Sequence, residues 1–275
     1  MTARGRRSGL GSRLLAIARR DTETELSYRF RLASLLVSPF IGAFLAFYIA
    51  RLVGTGGPLA EYDGTYFDYV VVGLALTSYA ALGVSAFTQR IAQEQTAGTL
   101  EVLLAGPTRL PTLLAGGFIV PLGLTTIQVV GLIGIGVGLV GTGLSPGAVV
   151  GALPVLVLMI LNFVAVGVVA GAVTLLSKRG DPISRGFYQL TLLLSGAVIP
   201  LELFPGWMQL IGRATPAFYG VRGLRDAVLT DGGVGAAADE VLILLGFAII
   251  TVPLAIGLFA AAVRSAKRYG ILGTY

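Results

Sequence analysis

The 275 residues contain no cysteine and no histidine, and only 12% of them are charged. Without cysteine the chain has no disulfide scaffold, no thiolate nucleophile and no Cys-ligated zinc or iron–sulfur centre. Without histidine it lacks the commonest general base and metal ligand. Together these absences exclude Ser/His and Cys/His hydrolases and His-ligated metalloproteases. A phosphate-binding loop is missing too: no G-x-x-x-x-G-K-[ST] occurs, and neither Lys178 nor Lys267 follows a glycine, so the chain does not bind and split ATP by that route. The scarcity of charge, set beside 55% hydrophobic residues and 39 glycines, rules out an ordinary soluble domain and places the chain in a membrane.

Crossing about 30 Å of hydrocarbon takes roughly twenty apolar residues. Uncharged runs of that length lie at Leu32–Ala50, Tyr69–Gln89 and Val241–Val263. From Arg109 to Lys178 there is no charged residue at all, and Gly141, Gly143, Pro146 and Gly147 punctuate the middle of that run. It reads as two spans, about Thr112–Val140 and Ala148–Ser177, joined by a short outer turn. A fifth span in chain order is expected over about Arg185–Leu201, which makes six. The fold expected is an all-α membrane protein forming one domain over 1–275: an N-terminal cytoplasmic or interfacial segment 1–31, a six-span bundle 32–263 and a cytoplasmic tail 264–275.

With the N-terminus inside and alternating crossings, sixteen of the twenty basic residues fall on the cytoplasmic side; Arg51, Arg213, Arg222 and Arg225 fall outside. The positive-inside rule therefore puts both termini in the cytoplasm, and the net charge of +6 is a topology signal with contact to anionic lipid. It does not read as nucleic-acid binding, since no basic surface alternates with stacking aromatics. The first apolar run starts too late and runs too long for a secretory signal peptide. Leu10, Leu14, Ile17 and Ala18 recur at helical spacing among Arg13, Arg19 and Arg20, the pattern of an amphipathic helix on the inner leaflet; a disordered basic tail is the alternative.

No ionisable residue lies within the assigned span cores, so a proton-coupled carrier would lack its titrating group. Polar groups remain at Thr125, Thr126, Gln128, Asn162, Thr191 and Ser195. Gln128 and Asn162 would cost several kcal/mol facing lipid unpaired, so they face other helices or a wet path. Interhelical hydrogen bonding is one reading; a place on a translocation path, with Gln128, Asn162 and Ser195 as its candidates, is the other. Gly134 with Gly138 and Gly167 with Gly171 offer two small faces for close packing. Gly232–Ala238, GGVGAAA, reads as a flexible connection into the last span.

Two segments carry sharper signals. The cytoplasmic stretch Gln89–Gly116 contains Glu94, Gln95, Gly98, Thr99, Leu100, Glu101, Leu103, Leu104 and Pro107. Thr99 can cap a helix on which Leu100, Leu103 and Leu104 share a face, ending at Gly106-Pro107. Such a helix either plugs a groove on a partner or docks on its own bundle. The second segment, Leu192–Arg225, is an apolar span that breaks into a proline-punctuated aromatic run holding Ser195, Gly196, Pro200, Pro205, Trp207, Pro216, Tyr219 and Arg225. Its prolines force short helical pieces whose polar groups need partners, and Trp207 and Tyr219 suit interface depth.

In order and position these two segments resemble those of permease subunits of type-2 ATP-binding-cassette (ABC) exporters. The first matches the pattern of Glu, Gly-Thr-Leu-Glu and Leu-Leu followed by Pro; the second matches the end of the fifth span. The resemblance implies that Glu94, Gln95, Gly98–Glu101, Leu103, Leu104 and Pro107 contact an ATPase subunit, and that short re-entrant helices follow the fifth span. It also implies a dimeric pathway through two permeases, identical or related. ATP and Mg would then sit on the partner, with none bound by this chain. The expected cargo is a hydrophobic drug, a lipid or a lipid-linked glycan leaving through the inner cell membrane. The chain reads Gln-Thr-Ala-Gly at 95–98 where many relatives have a more charged run, which leaves the details of that contact open. A non-transporting membrane scaffold or sensor, and an ATP-independent carrier built of inverted repeats, are the alternatives; the two halves show no such self-similarity.

Overall fold

In long uncharged runs the only partners for backbone polar groups are in the backbone itself, and helices result. The computed structural model describes residues 40–45, 47–49, 66–96, 98, 110–140, 146–177, 181–229 and 233–268, with positions 22, 33 and 37; among these are helices and turns and no strand. The expected interfacial helix at Leu10–Ala18, the outer turn at 141–145 and the end of the tail lie outside the described residues, as do Thr99, Leu100, Glu101, Leu103, Leu104 and Pro107 of the expected partner-contact helix.

In chain order the helices are α1 (Phe40–Ile49), α2 (Tyr66–Thr96), α3 (Leu110–Val140), α4 (Pro146–Ser177), α5 (Asp181–Leu194), α6 (Gly206–Arg213), α7 (Pro216–Leu229) and α8 (Ala238–Arg268). Three of them are long and apolar enough to cross a membrane, over Tyr69–Thr96, Gly147–Ser177 and Ala238–Ala266; the apolar stretches Phe40–Ile49 and Phe118–Gly134 are shorter. The exposed faces of α4 and α8 carry Val149, Leu153, Val157, Ile249, Ile250 and Leu254, surfaces that water would not tolerate and hydrocarbon does.

Helix α2 sits at the centre. Tyr69, Val70, Val71 and Val72 are all buried, so this part of the helix has no free face. Small residues set its contact with α4: a side chain at Gly167 would land on the Gly83 carbonyl, and one at Gly83 would come within 2.9 Å of the Phe163 backbone. One turn on, Gly171 meets Ile91. The Gly167–Gly171 face thus packs as expected. Gly134 does not, having nothing within 4 Å. Polar side chains add interhelical bonds: Gln128 Nε2 of α3 donates to Ser78 Oγ at 3.1 Å, and the Tyr79 hydroxyl to Thr126 Oγ1 at 3.2 Å. Between α4 and α8, Asn162 Nδ2 donates to the Leu244 carbonyl at 3.1 Å while its Oδ1 accepts from Thr251 Oγ1 at 3.0 Å.

Two expectations need correction. The fifth helix is Asp181–Leu194, fourteen residues or about 21 Å, and does not run on to Leu201. Gly196 adopts φ +71°, a left-handed backbone that ends a right-handed helix. The described part of the glycine-alanine run is not a loose link either: Gly233–Ala236 form a helical turn packed on α4 and α7. Ala237 is fully buried and its carbonyl accepts from Val241 N–H at 3.0 Å. At Ala237 the small side chain that reads as flexibility serves close packing.

Gly167→Leu should prevent recovery of folded, monodisperse protein, because overpacking against a helix backbone costs at least about 3 kcal/mol. Gly246→Leu, at an open position on α8, should leave the detergent melting temperature nearly unchanged. Asn162→Ala should cost about 1–2 kcal/mol, the range for polar contacts between membrane helices, read by the same melt.

Candidate functional site: the break after the fifth helix

A helix that stops at membrane depth leaves carbonyls without partners. At the end of α5, Ser195 N–H still reaches the Thr191 carbonyl at 2.9 Å. Its hydroxyl then serves the turn, donating to the Leu192 carbonyl and accepting from Ala197 N–H, both at 3.2 Å. Each of the three prolines begins a short element: Pro200 precedes the 3-10 turn Leu201–Leu203, Pro205 is the N-cap of α6, and Pro216 is the first residue of α7. These are positions where a missing N–H costs nothing.

The Gly196 and Ala197 carbonyls, freed by the break, point at Arg225 of α7. Arg225 is 3% exposed. Nη1 donates to the Gly196 carbonyl at 3.0 Å; Nη2 donates to the Ala197 carbonyl at 2.8 Å and to the Tyr69 carbonyl at 3.0 Å. The guanidinium carbon lies 3.2 Å from the centre of the Tyr69 ring, a cation–π contact, and the Tyr69 hydroxyl donates to the Gly196 carbonyl at 2.9 Å. On the next turn of α2, Gly73 leaves no room for a side chain, since a Cβ there would meet the Ala197 carbonyl. The break, α2 and α7 thus meet at a single planar cation. Hydrogen bonds to a charged group are worth about 1.5–3 kcal/mol each, and a fork of donors in fixed geometry is the feature that lysine lacks.

Around this centre α6 lies over the end of α5, with Gly212 against the Leu194 carbonyl. Gln209 Nε2 ties the preceding loop by donating to the Phe204 carbonyl at 2.9 Å and the Glu202 carbonyl at 3.2 Å. Trp207 is 65% exposed, whereas the Tyr219 ring packs between Phe218 and Phe247 at centroid distances of 5.3 and 6.1 Å. Arg222 pairs with Glu240 at the start of α8 at 3.2 Å and with Asp226 at 3.7 Å.

At the opposite end of α2, Glu94 pairs with Arg90 at 3.3 Å. The Gln95 carbonyl accepts from Gly98 N–H at 3.1 Å, with Gly98 at φ +66°, a left-handed residue that stops the helix. Glu94, Gln95 and Gly98 therefore form the end of α2 from which the expected partner-contact segment leaves. Of the candidate path residues, Gln128 and Asn162 hydrogen-bond to neighbouring helices and Ser195 to its own turn; the structure does not gather the three at one place.

In the sequence Arg225 reads as one residue of the broken outer segment and not as its buried centre, and Tyr69 and Gly73 do not stand out. A signal for the first was available: Ala217, Val221 and Leu224 mark the buried face of α7, and Arg225 falls one turn after Val221 on it. Nothing local marks Tyr69 or Gly73, because their roles depend on a partner more than a hundred residues away.

A family model for the ABC-2 type transporter matches residues 14–229, a span that includes both the end of α2 and the break with its arginine. The chain belongs to the ABC-2 type transporter family. The matched domain is the membrane part of such transporters and not the ATPase, so this is an ABC-type permease and a multi-pass membrane protein. The ABC transporter G family member 20 of Dictyostelium discoideum is similar, 26% identical over 181 residues that make up 65% of this chain. The permease spans about a quarter of that relative, 24% of its length.

Gly196→Ala should lower the stability of the permease by about 1–2 kcal/mol, the cost of a left-handed conformation for an L residue, seen as a lower melting temperature in detergent. Gly206→Ala, at the open start of α6, should change it by less than about 0.5 kcal/mol.

Proposed function

We propose that this permease works with a second permease subunit, identical or related, and with ABC ATPase subunits that hold ATP and Mg, to export a hydrophobic or amphipathic cargo across the inner cell membrane. Cargo chemistry of the drug, lipid or lipid-linked glycan type fits the apolar helix surfaces. In this reading the chain forms one permease domain with six crossings and both termini in the cytoplasm, and α6 and α7 are re-entrant helices capping the exit side. The segment from Glu94 to Pro107 receives the motor's movement, and the interface between the two permeases opens outward.

The family match across residues 14–229 carries this reading, because it joins in one domain a cytoplasmic segment suited to a partner groove and a broken helix on the other side. Two features of the chain support it. There is no phosphate loop in these residues, so ATP has to be split elsewhere, and no titrating group lies in the span cores to couple transport to protons.

The absence of native cysteine makes a direct test practical. Leu100→Cys and Leu103→Cys, joined to a thiol-reactive crosslinker, should capture a nucleotide hydrolase from membranes, and the co-purified complex in vesicles should hydrolyse ATP faster than the hydrolase alone. Stable association without any stimulated turnover favours the scaffold or sensor. Cargo export at full rate with no hydrolase captured overturns the reading.

A further inference from the structure

Helix α2 differs from the other long helices in a way the export reading does not use. Pro121 interrupts α3, Pro154 α4 and Pro253 α8, whereas α2 runs 31 residues with no proline inside. Proline is the usual cause of a sharp kink, because it removes one helical hydrogen bond and crowds the preceding turn. A proline-free helix lacks that cause of bending, and α2 is held over its inner turns by Gly83 against α4, Gly73 against the break and Phe67 against Phe47 of α1. From Tyr69 to Glu94 it covers 26 residues, roughly 39 Å, more than the hydrocarbon thickness.

Its two ends meet the two segments singled out by their sequence. Glu94, Gln95 and Gly98 lead into the partner-contact segment; at the other end Tyr69 and Gly73 meet the break and α7. The second junction is polar and buried, and it converges on Arg225, whose guanidinium touches α2 through the Tyr69 carbonyl and ring, and the break through the Gly196 and Ala197 carbonyls. Pulling α7 away from α2 would strand a buried cation and uncover carbonyls together, which makes this junction costlier to open than the apolar contacts around it.

We propose that α2 is the rod that carries the motor's displacement across the membrane, and that Arg225 is the pin joining it to the exit-side cap, so that α2, the break and α7 move as one body. Arg225 is a positioning residue in this scheme: it acts on the cap through the loop it holds. The proposal rests on the ATPase-driven reading given above and deepens it by naming the path along which force travels.

The test uses the full complex with its ATPase and a single reporter cysteine at Ala214, an exposed residue at the start of the cap, labelled with an environment-sensitive fluorophore. Adding ATP and Mg should change the signal in the otherwise unchanged permease. With Arg225→Met, hydrolysis should persist while the reporter's response falls by about tenfold, a coupling loss within the usual range. Arg225→Lys should recover only part of the response, since a compact ammonium lacks the planar fork that reaches carbonyls of two segments while stacking on the Tyr69 ring. If Arg225→Met does not fold, Tyr69→Phe provides the second reading: it keeps the ring, removes one bond to Gly196, and should reduce the response per ATP hydrolysed. A hydrolysing complex whose reporter responds fully in both Arg225→Met and Tyr69→Phe, or fully in Tyr69→Phe where Arg225→Met cannot be made, sinks the pin. Failure of the unaltered permease to bind any ABC ATPase sinks the proposed function instead, and the rod with it.

Discussion

A helix can end in the interior of a protein only if something replaces the next turn's N–H groups. In this permease the replacement is one guanidinium. Arg225 fills the place of missing backbone donors for Gly196 and Ala197 and takes up the Tyr69 carbonyl with the same planar group. Much of the surrounding structure follows from bringing that group to that point. Helix α7 has to lie against the break, which requires α6 to cross the end of α5; Gly212 permits that crossing by sitting directly on the Leu194 carbonyl. Gly73 has to be bare so that α2 can approach the turned chain. Buried arginines are expensive when partners are missing; here the cation and the broken helix each need what the other offers.

The geometry of α2 follows the same logic on a larger scale. A central helix with several packed faces must be matched to each neighbour separately, and the matching is done by different chemistry on different sides. Glycine against backbone serves α4, hydroxyl and amide pairs serve α3, and aromatic edges serve α1. Hydrocarbon supplies little hydrophobic force between helices, so close approach and hydrogen bonds hold the bundle together. That accounts for a chain with 39 glycines still forming long helices: where glycine weakens the helix, it shortens the distance to the next one.

The long elements were legible in the sequence because they rest on a one-dimensional constraint, the length of an uncharged run. The helices expected at Thr112–Val140 and Ala148–Ser177 differ from those found by only two residues at the start. The fifth helix was legible only in part. Its apolar run gives no reason to stop at Leu194; the stop depends on Gly196 being left-handed, and that conformation is affordable because residues on α2 and α7 receive the exposed carbonyls. Pro200, Pro205 and Pro216 signalled a broken segment correctly, each by a local rule. Arg225 belonged to that segment by its position, but its burial shows only once the apolar face of Ala217, Val221 and Leu224 is known to face the break. The glycine-alanine run before α8 misled for the opposite reason: small residues mean looseness in water and tight packing in a bundle, and the sequence does not say which surroundings apply.

The polar residues inside the bundle bear on what kind of cargo such a subunit can handle. Gln128 and Asn162 are 6% and 0% exposed, and both are engaged with neighbouring helices. A cargo reaching Asn162 would have to separate α4 from α8 and break bonds to Leu244 and Thr251, leaving a carbonyl and a hydroxyl without partners in an apolar setting, at about 1–3 kcal/mol each. The exposed surfaces of α4 and α8 offer apolar side chains instead. Recognition there scales with apolar area and discriminates weakly between molecules of similar size, since a methylene group more or less is worth only about 1–3 kcal/mol. A subunit built in this way spends its few polar contacts on holding the bundle in register.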